Sequence, residues 1–146
     1  MYSYNYPRAA LTVDAIVFYQ TENKTSVLLI ERGREPYKNK WALPGGFIEM
    51  DETLEKACIR ELQEETGLRV EKMKQFRAYD AVDRDPRHRT ISVVYAVELE
   101  NEKPVKGSDD ASRAAWFSID ELPELAFDHG QILSDFFRHQ DLMTID

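Results

Sequence analysis

Apolar and polar residues alternate in the first part of the chain with the period of β-strands. Residues 11–20 carry apolar side chains at every second position, which predicts a strand. The polar residues 21–26 join this segment to the apolar residues 27–31, and a polar link of that length predicts an antiparallel hairpin. Residues 33–46 hold five Gly and Pro residues, so we expect a shaped loop without regular structure.

The next segment has the boundaries of a helix. Asp51 is a suitable N-cap, the following residues include no Gly or Pro until Gly67, and Gly67 stands where a C-terminal cap belongs. Glu52 and Glu55 add acids to the first turn, where the helix dipole favours them. These features predict a helix over residues 52–66.

The second half of the chain alternates strands with loops and closes on a helix. Segments near 73–82 and 90–100 flank a charged loop and have strand character, which predicts that they pair. A second polar loop leads to a short strand expected at residues 115–117. Asp128 with Gln131 is typical of a capping pair ahead of an amphipathic helix.

Composition and charge limit the class of protein. The 146 residues correspond to one domain, residues 1–146, at roughly 100–200 residues per domain. The 19 basic and 27 acidic residues give a net charge of −8, which opposes binding to nucleic acid or an anionic membrane. No apolar run approaches the roughly 18 residues of a membrane span, and no signal peptide is evident. The unpaired Cys58 suits a reducing compartment, and we expect the cytoplasm.

One face of the predicted helix concentrates carboxylates. With Leu54 at zero, Glu61, Glu64 and Glu65 fall at about 340°, 280° and 20° around the axis. Acids at positions i and i+4 repel, and clustered carboxylate oxygens beside a Gly-rich loop are what Mg²⁺ requires. The alternative is a solvated acidic face, and helical spacing alone favours that alternative roughly two to one.

The whole segment GGFIEMDETLEKACIRELQEETGL, residues 45–68, resembles the signature of the Nudix hydrolases. In that signature Gly is followed after five residues by Glu and, after seven more, by a pattern containing Arg-Glu, Glu-Glu and Gly. Every fixed position is filled here, by Gly46, Glu52, Arg60, Glu61, Leu62, Glu64, Glu65, Gly67 and Leu68. The order of strands, loops and final helix also fits the family, so the resemblance implies an α+β fold in which a mixed sheet lies between helices.

The resemblance implies a set of metal ligands. Glu61 and Glu65 are the expected ligands of the catalytic divalent cations, with Glu64 as a further direct or water-mediated ligand. The backbone carbonyl of Gly45 is expected to coordinate as well. The expected ion is Mg²⁺, with Mn²⁺ as the alternative.

Two more positions receive roles from the resemblance. Arg60 is expected to orient a catalytic Glu, and Glu52 to tie the loop to the helix. The alternative for both is an ordinary intrahelical or capping contact. The family signature leaves the general base open, and the candidates are Glu61, Glu98, Asp109 and Asp110.

Arginines in two loops are candidates for binding an anionic substrate. Arg suits phosphate because of its bidentate fork, and the residues concerned are Arg32, Arg34, Arg84 and Arg87. For any one of these arginines, an ion pair with a nearby acid is about as expected as a contact with the substrate. Tyr37 and Phe18 could stack a base, although aromatics in such positions more often belong to the core, and Trp41 is expected to pack beneath the loop. His129 is expected in the first turn of the last helix.

Weaker cues narrow the expected activity. The segments RDPRHRTISVVY, PYKNKWALPGGF and ELPELAFDH are similar to those of the ADP-ribose pyrophosphatase branch, which implies cleavage of ADP-ribose to AMP and ribose 5-phosphate. The alternatives are a house-cleaning nucleoside triphosphate pyrophosphatase and a module that binds nucleotide sugars without hydrolysis. The tyrosines of YSYNY suggest a contact surface and hence a homodimer.

Overall fold

The computed structural model describes residues 2–107 and 111–145. The elements within these ranges are β1 (Ala10–Gln20), β2 (Thr25–Arg32), β3 (Trp41–Ala42), β4 (Gly45–Phe47), α1 (Leu54–Thr66), β5 (Lys74–Tyr79), β6 (Thr90–Leu99), β7 (Ala111–Ser118) and α2 (His129–Ile145). The strands form a mixed sheet in the order β3-β2-β1-β6-β5, with β4 paired to β1 and β7 paired to β2.

The two helices cover opposite faces of this sheet. β1 and β6 are parallel neighbours from Ala10 opposite Thr90 to Tyr19 opposite Leu99, and a central strand of this kind is buried on both sides. One core cluster joins β1 to α1 through Val13, Ala15, Val17, Ala57, Cys58 and Leu62. The other joins β1 to α2 through Ile16, Phe18, Ile132, Leu133 and Phe136. The expected α+β sandwich is therefore confirmed.

Several predicted elements are present, but the prediction of an irregular loop over residues 33–46 was wrong in part. β1 and β2 form the antiparallel hairpin, and β5 pairs antiparallel with β6. The loop contains β3 and β4, which pair with β2 and β1. A Cβ on Gly45 would overlap the backbone of β1, so the glycine permits the pairing that its presence seemed to exclude.

The predicted ends of two elements needed correction. The N-cap of α1 is Thr53, whose hydroxyl accepts a hydrogen bond from the N–H of Lys56, so Asp51 lies outside the helix. Gly67 is the C-cap, as predicted, at φ 78°. β7 is longer than the predicted segment 115–117 because its pairing with β2 extends to Ala111.

The predicted capping pair before α2 does not form. The Asp128 carboxylate accepts both hydrogen bonds of Arg84, and the Gln131 amide donates to Asp135. A tertiary ion pair therefore replaces the local cap. His129 does begin α2, as predicted.

The tyrosines that precede β1 are exposed. The exposed fractions of Tyr2, Tyr4 and Tyr6 are 69%, 49% and 77%, so these rings do not fold back onto the sheet of this chain. The homodimer stays a prediction. A mass equal to one chain, measured by light scattering, would exclude it. Neither helix of the described residues is long and apolar enough to cross a membrane.

Candidate functional site

A cavity of about 260 Å³ opens beside β4 and the middle of α1. Five parts of the chain line it: the start of β1, the segment from β2 to β4, helix α1, the β5–β6 loop and the start of α2. Its lining includes Thr12, Asp14, Arg32, Arg34, Gly45, Gly46, Phe47, Glu61, Glu65, Arg84, Asp85, Arg87, Phe127 and His129. The cavity therefore brings together acids and arginines that are far apart in the sequence.

Three carboxylates form what we call the acidic floor of the cavity: Asp14, Glu61 and Glu65. Asp14 and Glu65 are only 7% and 8% exposed, and the Glu61 side chain is 15% exposed. Glu61 and Glu65 are four residues apart on α1, so both face the cavity, whereas Asp14 comes from β1. A solvated acidic helix face is therefore excluded for Glu61 and Glu65.

Two glycines bring the backbone of β4 against the floor. The Gly45 N–H donates to Oε1 of Glu65 at 2.8 Å. A Cβ on Gly46 would overlap the carboxylate of Glu61, so glycine is required for this approach. The main chain of the Gly-rich segment thus contacts the carboxylates of the helix directly.

Arg60 connects the acids around the helix. Its Nε and one terminal nitrogen donate to both oxygens of Glu52, at 3.0 and 2.7 Å, and the other terminal nitrogen donates to Glu61 at 2.9 Å and Glu64 at 3.2 Å. Glu52 also accepts from the N–H of Glu49 at 2.9 Å. The hydrogen bonds from Arg60 lower the pKa of Glu52 despite some burial. Arg60 therefore holds Glu61 in place and ties the loop to the helix.

Glu61 is electrostatically unusual. Burial and the hydrogen bond with Glu64 raise its pKa to about 7, against the opposing effect of Arg60. The charged form of Glu61 is thus disfavoured as the protein stands. A cation beside the carboxylate would restore the charged form.

The floor fits a hard divalent cation that keeps some of its own water. No group of three or more His, Cys, Asp and Glu side chains in the described residues converges tightly enough to enclose an ion. Mg²⁺ is usually bound through one or two carboxylates plus waters and substrate phosphates, without an all-protein cage. Glu61 and Glu65 match that requirement, and coordination by the Gly45 carbonyl stays a prediction. Glu64 does not line the cavity, and its side chain is 44% exposed, which suits at most an indirect role.

A buried polar network beneath the floor was missed by sequence reasoning. The Ser92 hydroxyl donates to Oδ2 of Asp14, and Nε2 of His129 lies 3.7 Å from the same oxygen. Nδ1 of His129 accepts from the N–H of Leu43 at 3.0 Å, so the neutral ring carries its proton on Nε2, on the Asp14 side. Burial lowers the pKa of His129, which keeps the ring neutral. The signal available in the sequence was a lone acid, Asp14, inside an apolar strand.

Two of the predicted substrate arginines are already paired. The Arg84 side chain is 4% exposed and forms a bidentate ion pair with Asp128 at 2.9 and 2.6 Å. Arg87 forms a bidentate pair with Asp85 at 3.0 and 2.8 Å, and its side chain is 38% exposed. Both line the cavity, but each guanidinium is held by a carboxylate.

The other two arginines come from the end of β2 and the loop after it. Arg32 donates from Nε to the carbonyl of Pro36 at 2.7 Å, and Arg34 is exposed. Both line the cavity. The more exposed rim of the cavity, which we call the mouth, therefore contains Arg32, Arg34, Arg87, Phe47 and Phe127.

The aromatic predictions divide into core and rim. Phe18 is 3% exposed and belongs to the core, and Trp41 packs against Phe117 at 4.8 Å between ring centroids. Tyr37 is 37% exposed and contacts Phe127 at 4.8 Å between centroids. Phe47 and Phe127 line the cavity, and sequence reasoning missed both.

Of the candidate general bases, Glu61 lines the cavity and Glu98 does not. Glu98 is exposed on β6 and accepts a hydrogen bond from Gln20 at 3.2 Å. Asp109 and Asp110 lie outside the described residues.

The family comparison covers most of the chain. The model of the NUDIX domain matches residues 9–138. An ADP-ribose pyrophosphatase of Methanocaldococcus jannaschii is 41% identical over 133 residues, which span 91% of this chain and 76% of that protein.

Solved structures show the same fold. The NUDIX domain of Shewanella oneidensis NrtR, in complex with ADP ribose, superposes with a TM-score of 0.86 at 28% identity, over 92% of this chain and 90% of that chain. A bifunctional NMN adenylyltransferase/ADP ribose pyrophosphatase of Francisella tularensis, in complex with AMP and a Mn ion, has a TM-score of 0.82 at 31% identity. The alignment spans 93% of this chain and 43% of that larger one.

Proposed function

The chain belongs to the Nudix family and is a Nudix pyrophosphohydrolase, and from that premise we propose that it hydrolyses ADP-ribose to AMP and ribose 5-phosphate with Mg²⁺ as cofactor. The observation that carries the proposal is the division of one cavity into an acidic floor and a cationic, aromatic mouth. An ion held at the floor and an anionic nucleotide held at the mouth would meet in that cavity.

The residues of the floor suit the metal-dependent part of the reaction. A bound divalent cation neutralises pyrophosphate charge and lowers the pKa of bound water. Glu61, Glu65 and the Gly45 carbonyl would hold it, with Glu64 as an indirect partner. Arg60 and Glu52 orient Glu61 through the hydrogen bonds described above. Glu61 is the candidate general base for which the cavity offers support, because it lies within the floor.

The distribution of arginines supports an extended diphosphate substrate. Arg32 and Arg34 approach from the β2 side, whereas Arg84 and Arg87 approach from the β5–β6 loop, and all four line one cavity. A diphosphate flanked by two sugars spreads its charge along a groove, whereas a triphosphate concentrates charge at one end. The similarity to an ADP-ribose pyrophosphatase over 91% of this chain supports the same choice.

A substrate panel tests this proposal. ADP-ribose, other nucleotide sugars, dinucleoside polyphosphates and nucleoside triphosphates would be assayed with Mg²⁺, with Mn²⁺ and with chelator. We expect the highest kcat/KM for ADP-ribose and no turnover in chelator. A higher kcat/KM for any nucleoside triphosphate would support the house-cleaning alternative. Binding of ADP-ribose without turnover in either metal would support the ligand-binding module.

A further inference from the structure

An aromatic and cationic cluster stands at the mouth of the cavity. The Arg87 guanidinium carbon lies 5.6 Å from the ring centroid of Phe47 and 5.8 Å from that of Phe127. We call these three residues the aromatic slot. Arg32 approaches Phe127 as well, with its guanidinium carbon 5.0 Å from the ring centroid. Flat groups from three separate parts of the chain therefore meet beside the cavity.

The charge of Arg87 is already balanced within the slot. Asp85 accepts two hydrogen bonds from the guanidinium and is itself buried, with 6% exposed. A guanidinium paired in this way keeps its planar face available for stacking. Arg87 can therefore stack on a flat ligand while its hydrogen-bonding edge stays paired with Asp85.

The backbone at the slot is held in an unfavourable conformation. Phe127 has φ 53°, and Tyr37, whose ring contacts it, has φ 61°. Residues other than Gly are uncommon in this left-handed region, and such strain concentrates at ligand-binding positions. The Phe127 ring is half-buried: it packs against a core cluster and also lines the cavity.

Exposure also distinguishes Phe47 from the other aromatic side chains. The exposed aromatic residues of the described chain are Tyr2, Tyr4, Tyr6, Tyr37 and Phe47. Only Phe47 among these lines the cavity. Phe47 directly follows the Gly45–Gly46 segment that contacts the acidic floor, so a ligand on the floor is also beside this ring.

We propose that Phe47, Arg87 and Phe127 form the binding site of the nucleobase, which stacks on these flat groups while the diphosphate extends toward the acidic floor. The inference rests on the proposed function for the identity of the substrate class. Stacking of a base on an aromatic side chain typically accounts for about 5- to 150-fold in affinity. The slot thus selects a nucleoside derivative over a simple phosphate ester.

Calorimetric binding of AMP and of ribose 5-phosphate, measured in chelator, tests the slot without turnover or metal. The two ligands share a sugar phosphate, and only AMP carries a base. We expect the wild type to bind AMP more tightly, and we expect Phe127→Leu and Phe47→Leu each to weaken AMP binding at least about fivefold. Binding of ribose 5-phosphate should stay unchanged. The matched control is Tyr4→Leu, which removes an exposed ring away from the cavity.

Three outcomes would overturn the inference. The first is equal affinity of the wild type for both ligands, and the second is wild-type AMP affinity in a folded Phe47→Leu or Phe127→Leu protein. The third is an equal loss of affinity for both ligands. Phe47→Leu decides the matter alone if Phe127→Leu fails to fold, because the Phe47 ring is 45% exposed.

Kinetics separate this inference from the proposed function. If the slot binds the base equally in the ground and transition states, the Phe47→Leu variant should show a higher KM for ADP-ribose with little change in kcat. Wild-type turnover of ADP-ribose combined with unchanged AMP binding in the variants would remove the slot and leave the proposed function intact. Tight AMP binding that depends on the slot, without hydrolysis of ADP-ribose, would support the slot and contradict the proposed function.

Discussion

The acidic floor and the mouth of the cavity are assembled from the sequence in different ways. Glu61 and Glu65 of the floor, and the two glycines that contact them, all lie within positions 45–65, and only Asp14 of the floor comes from another part of the chain. The mouth combines Phe47, Arg32 and Arg34 with residues from the β5–β6 loop and the start of α2. Apart from Asp14 on β1, the floor is a local feature of one β-strand and one helix, whereas the mouth requires the complete fold.

This difference separates two kinds of contribution to the reaction. The floor lies where a bound metal ion and the pyrophosphate would meet, so substitutions in the floor should lower kcat. The aromatic slot at the mouth would contact the nucleobase, which does not react, so changes in the slot should mainly raise KM. The predictions below test whether the two regions are separable in this way.

The largest expected effect is that of Glu65→Gln on the floor. The amide oxygen can still accept the hydrogen bond from the Gly45 N–H, but the group carries no charge for a cation. We expect kcat to fall on the order of 100- to 1,000-fold, as when one charge-stabilising group is lost. Steady-state kinetics at saturating Mg²⁺ and a thermal unfolding curve would show lost turnover with little change in stability.

Glu64→Gln is the matched control for that substitution. Glu64 belongs to the same helix, but its side chain is 44% exposed and points to Arg60. We expect a loss below about tenfold, at the low end of what supporting residues around a metal contribute. Near-normal turnover of Glu65→Gln, or an equal loss in both variants, would contradict the assignment of Glu65 as a ligand.

A second test of the floor replaces a glycine instead of a charged residue. The Cβ introduced by Gly46→Ala would overlap the Glu61 carboxylate, so either the strand or the acid must move. A misplacement of about 1 Å can cost roughly 100-fold in rate, and we expect a loss of that order in kcat.

Gly67→Ala separates a local clash from general destabilisation. Gly67 has φ 78°, and the nearest atom to an added Cβ lies 4.0 Å away. The left-handed conformation should cost about 1–2 kcal/mol of unfolding free energy, with kcat unchanged. If Gly67→Ala lowered kcat as much as Gly46→Ala, lost stability would explain both effects.

The same division explains what the sequence could predict. Glu61 and Glu65 were identified because helical spacing and the family signature are local. Asp14, His129, Phe47 and Phe127 were not, because their proximity depends on the pairing of β1 with β4 and on the start of α2. The capping pair at Asp128 failed for the same reason, since the competing partner Arg84 is 44 residues away.

Two arginines that line the cavity, Arg84 and Arg87, differ in their surroundings. Arg87→Ala should raise the KM for ADP-ribose about tenfold with little loss of kcat, because the slot binds ground and transition states alike. Arg84→Ala should instead lower stability by a few kcal/mol, because Asp128 loses both hydrogen bonds from its buried partner. Asp85 keeps hydrogen bonds from the N–H of residue 87 and from Thr90 when the Arg87 side chain is removed. Kinetics and urea unfolding of both variants would be measured together. A large stability loss in Arg87→Ala and none in Arg84→Ala would reverse these assignments.

The smallest expected effect concerns pH and the histidine beneath the floor. Burial lowers the pKa of His129 against the opposing charges of Asp14 and Asp128, while Arg84 and Arg32 act in the same direction as burial. Below its usual pKa of about 6.5 the unfolded chain therefore binds a proton that the folded chain resists. The contribution of His129 to stability is complete above that pH and is lost as the pH falls.

His129→Asn isolates this contribution, since Oδ1 of Asn corresponds in position to Nδ1 of His129 and can accept the hydrogen bond from the N–H of Leu43. Glu61, with a pKa raised to about 7, has the opposite effect, because stability falls as the pH rises toward that value. The informative quantity is thus the difference in free energy of unfolding between wild type and variant, measured by urea unfolding in chelator at about pH 5.5 and 7.5. We expect the wild type to lose more free energy of unfolding on acidification, by up to about 1.4 kcal/mol per pH unit for one proton. Identical pH dependence in both proteins would mean that His129 takes up a proton in the folded state as readily as in the unfolded state. The neutral ring, and with it the fixed proton on Nε2 beside Asp14, would then be wrong.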